Sequence, residues 1–357
     1  MDGRRSMKII YEQRLNVSPW RVALMPVIAI LLTVLASMLI FWILGKSPWE
    51  TTKAIFINPV FDSYSRPEIL VKASPLLIIA IGLSLGFRAG IWNIGAEGQY
   101  VMGAIGATSV AMAAYPNGGP LLLLWMALAG MAFGAAWAWI RAFLKSRYNA
   151  SEILVSLMLV YVAVLILRIV VSGMLRDPEG MSFPQSRIFQ EDASLPKIWE
   201  GTRVHAGVLI AFLIAIAAAV FLRFRRLGFD IQVVGQAPRA ARYSGVNDKR
   251  IIYFCLMLSG ALAGLAGMFE VAGPAGQLQP SLPTGYGFTA IIVAFLGRLN
   301  PIGIILASLV IAITYIGGET AQLYMQLPAP TIQVIQGLLL MFLLGVEVFG
   351  RYKIKIG

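Results

Sequence analysis

The stretch Arg88-Ala-Gly-Ile-Trp-Asn-Ile-Gly-Ala-Glu-Gly-Gln-Tyr-Val-Met-Gly103 places polar residues inside a strongly apolar chain. It carries Asn93, Glu97 and Gln99 among four glycines. A helix that faces lipid does not tolerate this composition, because polar groups in hydrocarbon cost several kcal/mol each. Irregular backbone at membrane depth survives only where protein buries it or where it lines a watery cavity. The stretch therefore predicts a broken membrane helix beside a translocation pathway.

The composition of the whole chain is that of an integral membrane protein. Of its 357 residues, 58% are apolar and 13% are charged, and the mean hydropathy is +0.77. A soluble protein would carry about a quarter charged residues. The single Cys255 and the single His205 exclude a disulfide framework and a His-based catalytic triad. Gly45-Lys-Ser47 is not a phosphate-binding loop, because Ile40 replaces the first glycine of that motif. We expect no catalysis, no metal site and no bound cofactor.

Apolar runs of about the length that a bilayer requires predict an all-α fold with about ten membrane-spanning helices. The transmembrane domain covers residues 22–349, between an N-terminal segment 1–21 and a tail 350–357. The predicted spans are residues 22–44, 69–87, a third span that ends near 115, 121–143, 153–172, 206–222, 251–272, a short eighth at 288–296, 301–316 and 328–349.

Lys and Arg are distributed unequally between the two sides of these spans. Of the 29 such residues, twenty fall on the side that holds both termini and seven on the other. Because cytoplasmic loops are enriched in Lys and Arg, both termini and the basic loop 223–250 are predicted to be cytoplasmic. The polar loop 173–205 is predicted to be external. This bias accounts for the net charge of +12, and we expect no nucleic acid partner.

The two halves of the predicted bundle share a pattern. The second span and its broken successor have a counterpart in the seventh span and the short eighth. These pairs run in opposite directions, which predicts two inverted repeats. Three pairs of glycines, at residues 82/86, 130/134 and 260/264, predict close packing between membrane helices.

Four blocks in order along the chain resemble a known family. They begin at Gly90-Ile-Trp-Asn, Ser151-Glu-Ile-Leu, Pro238-Arg-Ala-Ala and Gly285-Tyr-Gly-Phe. The chain is similar in these blocks to permease subunits of bacterial ABC importers for nucleosides and simple sugars. That broad family also contains ribose and branched-chain amino acid permeases. The form Asn-Ile-Gly-Ala-Glu-Gly-Gln points to the nucleoside branch, whereas Val160 departs from the Asn that similar permeases often carry before the aromatic at Tyr161.

The resemblance implies a type II ABC importer-like fold in the bacterial cell (inner) membrane. It implies a transport subunit that pairs with a second permease, which is either a copy or a related chain. ATP and Mg would be bound by separate ATP-binding cassette subunits, and a periplasmic or lipoprotein binding protein would deliver the substrate. Two other readings stay open: a ribose-type sugar permease, or a secondary transporter in which Glu97 couples to an ion gradient.

The residues expected to line the substrate pathway are polar or aromatic and lie in the two broken segments. They are Trp92, Asn93, Glu97, Gln99, Phe288 and Thr289. Structural roles are the alternative for each class, because Asn and Gln join membrane helices and Phe288 suits a packed core. Glu97 could instead be a buried acid that pairs with Arg88 or with backbone amides.

The residues expected to couple the chain to an ATPase lie in one short cytoplasmic segment. They are Gly235, Pro238, Arg239, Ala240, Ala241, Arg242 and Gly245. Pro238 suits the first turn of a helix, and the bounding glycines permit sharp turns. A short helix at this position predicts docking into a groove of the ATPase. The alanines would contact the ATPase, and the arginines would steer docking onto an acidic rim. The alternative is basic surface that lies beside anionic membrane lipid.

Overall fold

The computed structural model describes residues 9–13, 19–180, 183–328 and 330–356. Fourteen helices follow one another in this described part of the chain. They are α1 (Pro19–Ile43), α2 (Pro48–Phe56), α3 (Asn58–Phe61), α4 (Ser65–Arg88), α5 (Ala96–Ala113), α6 (Leu122–Tyr148), α7 (Glu152–Ser172), α8 (Ala206–Phe224), α9 (Arg226–Gln236), α10 (Pro238–Tyr243), α11 (Asp248–Ala272), α12 (Tyr286–Leu296), α13 (Pro301–Met325) and α14 (Pro330–Arg351).

Each of the ten predicted spans corresponds to one of these helices. Seven helical segments among the described residues are long and apolar enough to cross a membrane: Leu24–Ile43 of α1, then α4, α6, α7, α8, α11 and α13. Helix α12 and the segment Pro330–Val346 of α14 are apolar but shorter. Helix α5 carries Glu97, Gln99 and several glycines, which lower its hydropathy. The number of crossings and the inverted repeats therefore stay predictions.

The chain divides into two compact units, of which the first comprises Met1–Asn58 and Gly317–Gly357. In this unit α1 packs against α14 and α2. Its apolar core is formed by buried side chains of α1, α2, α14 and the end of α13: Phe41, Ile55, Ala321, Leu327, Ile332 and Ile335. Strands β1 (Ile9–Gln13) and β2 (Tyr352–Ile356) pair antiparallel. This ribbon joins the two predicted tails and adds a β element to a fold that was expected to be all-α.

The second unit, Pro59–Ile316, is organised around α11, which packs against α4, α5 and α6. Glycines make this approach possible. An added Cβ at Gly264 of α11 would overlap the backbone of Gly130 on α6, and one at Gly103 of α5 would overlap Gly264. Lipid chains are as apolar as Leu, so membrane helices associate through close packing of small residues. The close packing predicted from the glycine pairs at residues 130/134 and 260/264 is confirmed.

The connection between α7 and α8 is tied to the segment that follows α11. Backbone N–H groups of Ser186, Phe189 and Leu195 donate to carbonyls at residues 278, 276 and 272, at 3.0, 2.8 and 2.7 Å respectively. His205 is the N-cap of α8, and its Nδ1 accepts from the Gly207 amide at 3.2 Å. Burial lowers the pKa of His205 to about 4, so the ring is neutral at neutral pH and able to accept this bond.

Replacing Gly264 with Ala tests the packing at the centre of this unit. The added methyl group would force α11 away from α6, and overpacking of this kind costs about 1–3 kcal/mol or more. We expect a lower apparent Tm and a smaller yield of monodisperse protein in detergent. Gly337→Ala in α14 is the matched control, because an added Cβ there meets no atom within 4 Å. Equal Tm values for the two variants would contradict the proposed role of the crossing.

Candidate transport site

The predicted break in the stretch from Arg88 to Gly103 is present between α4 and α5. Helix α4 ends at Arg88, residues 89–95 are not helical, and α5 begins at Ala96. We call residues 89–95 the linker. Gly90 has a φ of +74°, a left-handed conformation that glycine adopts without steric cost. The amides of residues 89–91 bond to carbonyls in the last turn of α4, whereas the amides of Trp92 and Gly95 have side-chain acceptors.

Asn93 is the centre of a buried hydrogen-bond network that joins the linker to three helices. Its Nδ2 donates to Gln99 Oε1 and to Ser259 Oγ, each at 3.0 Å. Its Oδ1 accepts from the Gly95 amide at 3.1 Å and from Arg141 Nη1 at 2.8 Å. Asn93 has no exposed surface, and Gln99 is 2% exposed. The structure thus brings together two of the predicted site residues, in a packed polar core contributed by α5, α6 and α11.

Arg141 is a residue of this site that sequence reasoning missed. The predicted span 121–143 contains Arg141, although the charge count grouped it with the loop that follows; it lies inside α6 and is 1% exposed. It also donates to the carbonyl oxygen of Trp92. Glu152 of α7 accepts from the Trp92 amide at 2.9 Å and pairs with Lys145 at 3.0 Å. Its place inside a predicted span is the signal that could have marked it, because ionisable residues within membrane spans are rare and usually functional.

Glu97 joins the N-terminal ends of the two broken segments. It is 2% exposed and accepts from the amides of Gly285, at 2.9 Å, and Gly287, at 2.6 Å. Because Glu97 stands in the first turn of α5 and these amides open α12, one carboxylate lies at two helix N-termini, where negative charge is favoured. Of the two alternatives considered, backbone amides are its partners. Arg88 forms no ion pair with Glu97, and its Nε donates to the Leu299 carbonyl at 2.9 Å.

The aromatic members of the predicted pathway are more exposed than its polar members. Trp92 is 47% exposed, and its ring centroid lies 5.3 Å from that of Phe87 and 5.7 Å from that of Phe295. Phe288 is 40% exposed. Thr289 is 5% exposed, and its Oγ1 lies 2.9 Å from the hydroxyl of Tyr315. The structure therefore separates the six residues into a buried polar group and two accessible aromatic rings.

The predicted short helix of the basic loop is present as α10. It begins at Pro238, and Gly245 follows it with a φ of +81°. Arg239 and Ala240 are exposed. Arg242 forms an ion pair with Asp248 of the same chain at 2.7 Å, so part of its charge is already neutralised. Tyr243, which the sequence analysis passed over, is 94% exposed on the same short helix.

Two residues of this segment lie where the sequence analysis did not expect them. Ala241 is 1% exposed and packs in an apolar core with Ile231 and Ile251, so its side chain is not at the surface for the predicted contact with a partner. Gly235 does not make a turn. It lies inside α9, where an added Cβ would overlap the Arg88 carbonyl oxygen. Its lack of a side chain lets α9 rest directly on the beginning of the linker.

Asn93→Ala tests whether the network holds the linker. The variant leaves the buried polar groups of Gln99, Ser259 and Arg141 short of partners, and each such loss costs about 1–3 kcal/mol. We expect a clearly lower apparent Tm in detergent. Asn117→Ala is the matched control, because Asn117 is exposed in the turn between α5 and α6. An Asn93→Ala protein as stable as the control would show that the network does not support the fold.

Apolar helices broken around a buried polar network define a multi-pass membrane transport protein. Residues 66–344 match the family described as the permease component of branched-chain amino acid transport systems. The chain belongs to this family of permeases.

Its curated relatives are similar over most of their length. The chain is 33% identical to a glucose ABC transporter permease protein of Haloferax volcanii, over 98% of this chain and 94% of that one. It is 28% identical to a guanosine ABC transporter permease protein of Bacillus subtilis, over 89% and 92% of the two chains. It is also 28% identical to a nucleoside ABC transporter permease protein of Lactococcus lactis, over 83% and 84%. No solved structure matches the chain significantly.

Proposed function

We propose that the chain is the transmembrane permease subunit of an ATP-driven ABC importer for nucleosides. The observation that carries the proposal is the Glu97 carboxylate between the N-termini of α5 and α12. Broken helices whose ends meet inside the bundle are typical of substrate pathways in transporters. The similarity to ABC permeases for guanosine and nucleosides supports both the class and the substrate.

In this proposal two of the six pathway residues contact the substrate, and the other four position them. Trp92 and Phe288 present accessible rings on which a nucleobase can stack. Asn93 and Gln99 position the linker, and with Arg141 and Glu152 they hold Trp92 by both its carbonyl and its amide. Glu97 and Thr289 fix the beginning of α12 beside them. The buried polar residues thus act on the substrate through the rings that they orient.

A simple sugar is the second candidate substrate. The similarity to a glucose permease favours it, since that relative is 33% identical over nearly the full chain. A nucleoside carries both a sugar and a planar base, whereas glucose offers hydroxyl groups without an aromatic plane. Accessible Trp92 and Phe288 rings therefore favour the nucleoside, because stacking needs a planar partner.

Ion coupling through Glu97 is the less favoured alternative. A carboxyl group that carries protons or sodium has to exchange them with water during each cycle. Glu97 is almost fully buried and accepts two backbone hydrogen bonds. Protonation of either oxygen would weaken the hydrogen bond that this oxygen accepts from its amide. The geometry suits a fixed cap better than an ion carrier.

Coupling to a separate ATPase is proposed at the exposed face of α10, with both termini in the cytoplasm. Arg239, Ala240 and Tyr243 would contact the partner. Helix α10 is connected to the pathway through α9. Helix α9 immediately precedes α10, and its Gly235 contacts the Arg88 carbonyl at the end of α4. Displacement of α9 and α10 would therefore press on the linker. A second permease and an external binding protein would complete the importer.

Uptake measurements test the function. Membrane vesicles that contain the chain with its companion ATPase and binding protein should accumulate labelled nucleosides when ATP is supplied. Vanadate should abolish this uptake, whereas a protonophore should leave it unchanged. Excess unlabelled glucose should not compete. Uptake that follows the proton gradient would contradict the ABC mechanism, and transport of glucose alone would select the sugar candidate.

Tyr243→Ala tests the docking face. Tyr is enriched among the interface hot spots whose truncation costs about 2 kcal/mol or more, so we expect ATPase co-purification to fall and uptake to fall with it. Tyr64→Ala is the matched control, because Tyr64 is also exposed and precedes α4, at the opposite end of that helix from the linker. Equal retention of the ATPase by both variants would remove α10 from the interface.

A further inference from the structure

A cavity of about 380 Å³ opens where the linker end of α4 meets α8, α9 and the beginning of α13. Its polar lining consists of Arg88, Arg223, Gln232 and Asn300. Its remaining lining is apolar and includes Val220, Phe224 and Ile302. No acidic residue lines this cavity among the described residues, so its field is positive. We call it the interfacial cavity.

The two arginines of the interfacial cavity are available to a ligand. Arg88 uses Nε for the Leu299 carbonyl, and its two terminal nitrogens form no hydrogen bond or ion pair within the described part of the chain. Arg223 is exposed, and its guanidinium carbon lies 5.6 Å from the centroid of the Phe224 ring. Guanidinium groups recognise phosphate oxygens through paired N–H donors. The volume exceeds that of a phosphate group and is within the range of small-ligand sites.

The apolar rim indicates where the ligand comes from. Val220, Phe224 and Ile302 are 52%, 72% and 64% exposed. They stand on the last turns of α8 and the first turn of α13, and both helices are apolar enough to cross a membrane. Side chains exposed at these positions lie beside lipid at the edge of the bilayer. A soluble anion would gain nothing from such a rim, whereas a lipid places its acyl chains there and its phosphate against the arginines.

We propose that the interfacial cavity binds the phosphate-bearing headgroup of an anionic phospholipid. Basic pockets between membrane helices are suited to such headgroups. Arg88 closes α4 just before the linker, and its Nε holds the connection between α12 and α13 at Leu299. The bound headgroup therefore stabilises the ends of both broken segments. Its effect on transport rests on the proposed function, whereas binding itself does not.

The binding test uses the full chain in nanodiscs of phosphatidylcholine with or without phosphatidylglycerol. Native mass spectrometry after release should show phosphatidylglycerol retained by the wild-type chain in preference to phosphatidylcholine. Arg223→Gln should weaken this retention about fivefold, which corresponds to the roughly 1 kcal/mol that one basic residue contributes beside an anionic surface. Arg250→Gln is the matched control, because Arg250 is exposed at the beginning of α11 and does not line the cavity.

Three outcomes would overturn the proposal. Equal retention by Arg223→Gln and Arg250→Gln would assign the effect to diffuse surface charge. Equal retention of the two lipids by the wild-type chain would remove headgroup selectivity. Glycerol phosphate in neutral detergent should leave the Tm unchanged, and stabilisation by this probe equal to that by phosphatidylglycerol would make the cavity a site for soluble anions. None of these measurements requires uptake, so their failure is distinct from failure of the proposed transport function.

Discussion

Backbone amides that a broken helix leaves inside a membrane bundle need acceptors from the protein, because hydrocarbon supplies none. Glu97 meets this requirement for α12 by accepting from Gly285 and Gly287. Asn93 meets it for the beginning of α5 by accepting from Gly95. Each acceptor is itself polar and buried, and this burial is tolerated only because the bonds are formed. Without Asn93 and Glu97 as acceptors, the two broken helices would leave buried amides without partners.

This constraint extends outward from the linker to its neighbours. Arg141 donates to Asn93 and to the Trp92 carbonyl, which brings a full positive charge into α6. Glu152 lies 3.8 Å from Arg141 and offsets that charge while it accepts from the Trp92 amide. Removing one partner of a buried charged pair typically costs about 3–5 kcal/mol. The linker, α6 and the beginning of α7 are therefore connected tightly enough to move together when the site changes state.

The predictable parts of this fold are those encoded locally. Apolar runs placed the membrane helices, and the polar glycine-rich motif placed the break after Arg88. The paired glycines predicted the tight crossing at Gly264, since small residues at helical spacing mark a close-packed face. Pro238 and Gly245 delimited α10 because each has a strong backbone preference.

Partners that are distant in the sequence could not be predicted in this way. Nothing near Glu97 indicates that its acceptor oxygens meet amides 188 and 190 residues away. The burial of Ala241 depends on how α10 folds back on α11, and an alanine is compatible with either surface or core. Arg141 was counted with the loop although it lies in a predicted span, and its acceptors Asn93 and Trp92 are 48 and 49 residues away in the sequence. Its position was decided by the linker, whose Asn93 and Trp92 oxygens required a donor at that depth.

The linker contacts α6 and α7 differently from α9, and this difference determines how a movement of α9 can reach the site. Towards α6 and α7 the linker is bound by directional, charge-assisted hydrogen bonds, which are lost when the groups shift by about an ångström. Towards α9 it meets the backbone of Gly235, and its apolar residues Ala89 and Ile91 lie in the same core as Ile231 and Val234. Such a surface slides without breaking a bond. A displacement of α9 and α10 is therefore transmitted to the linker as a push, whereas Trp92 keeps its orientation relative to α6.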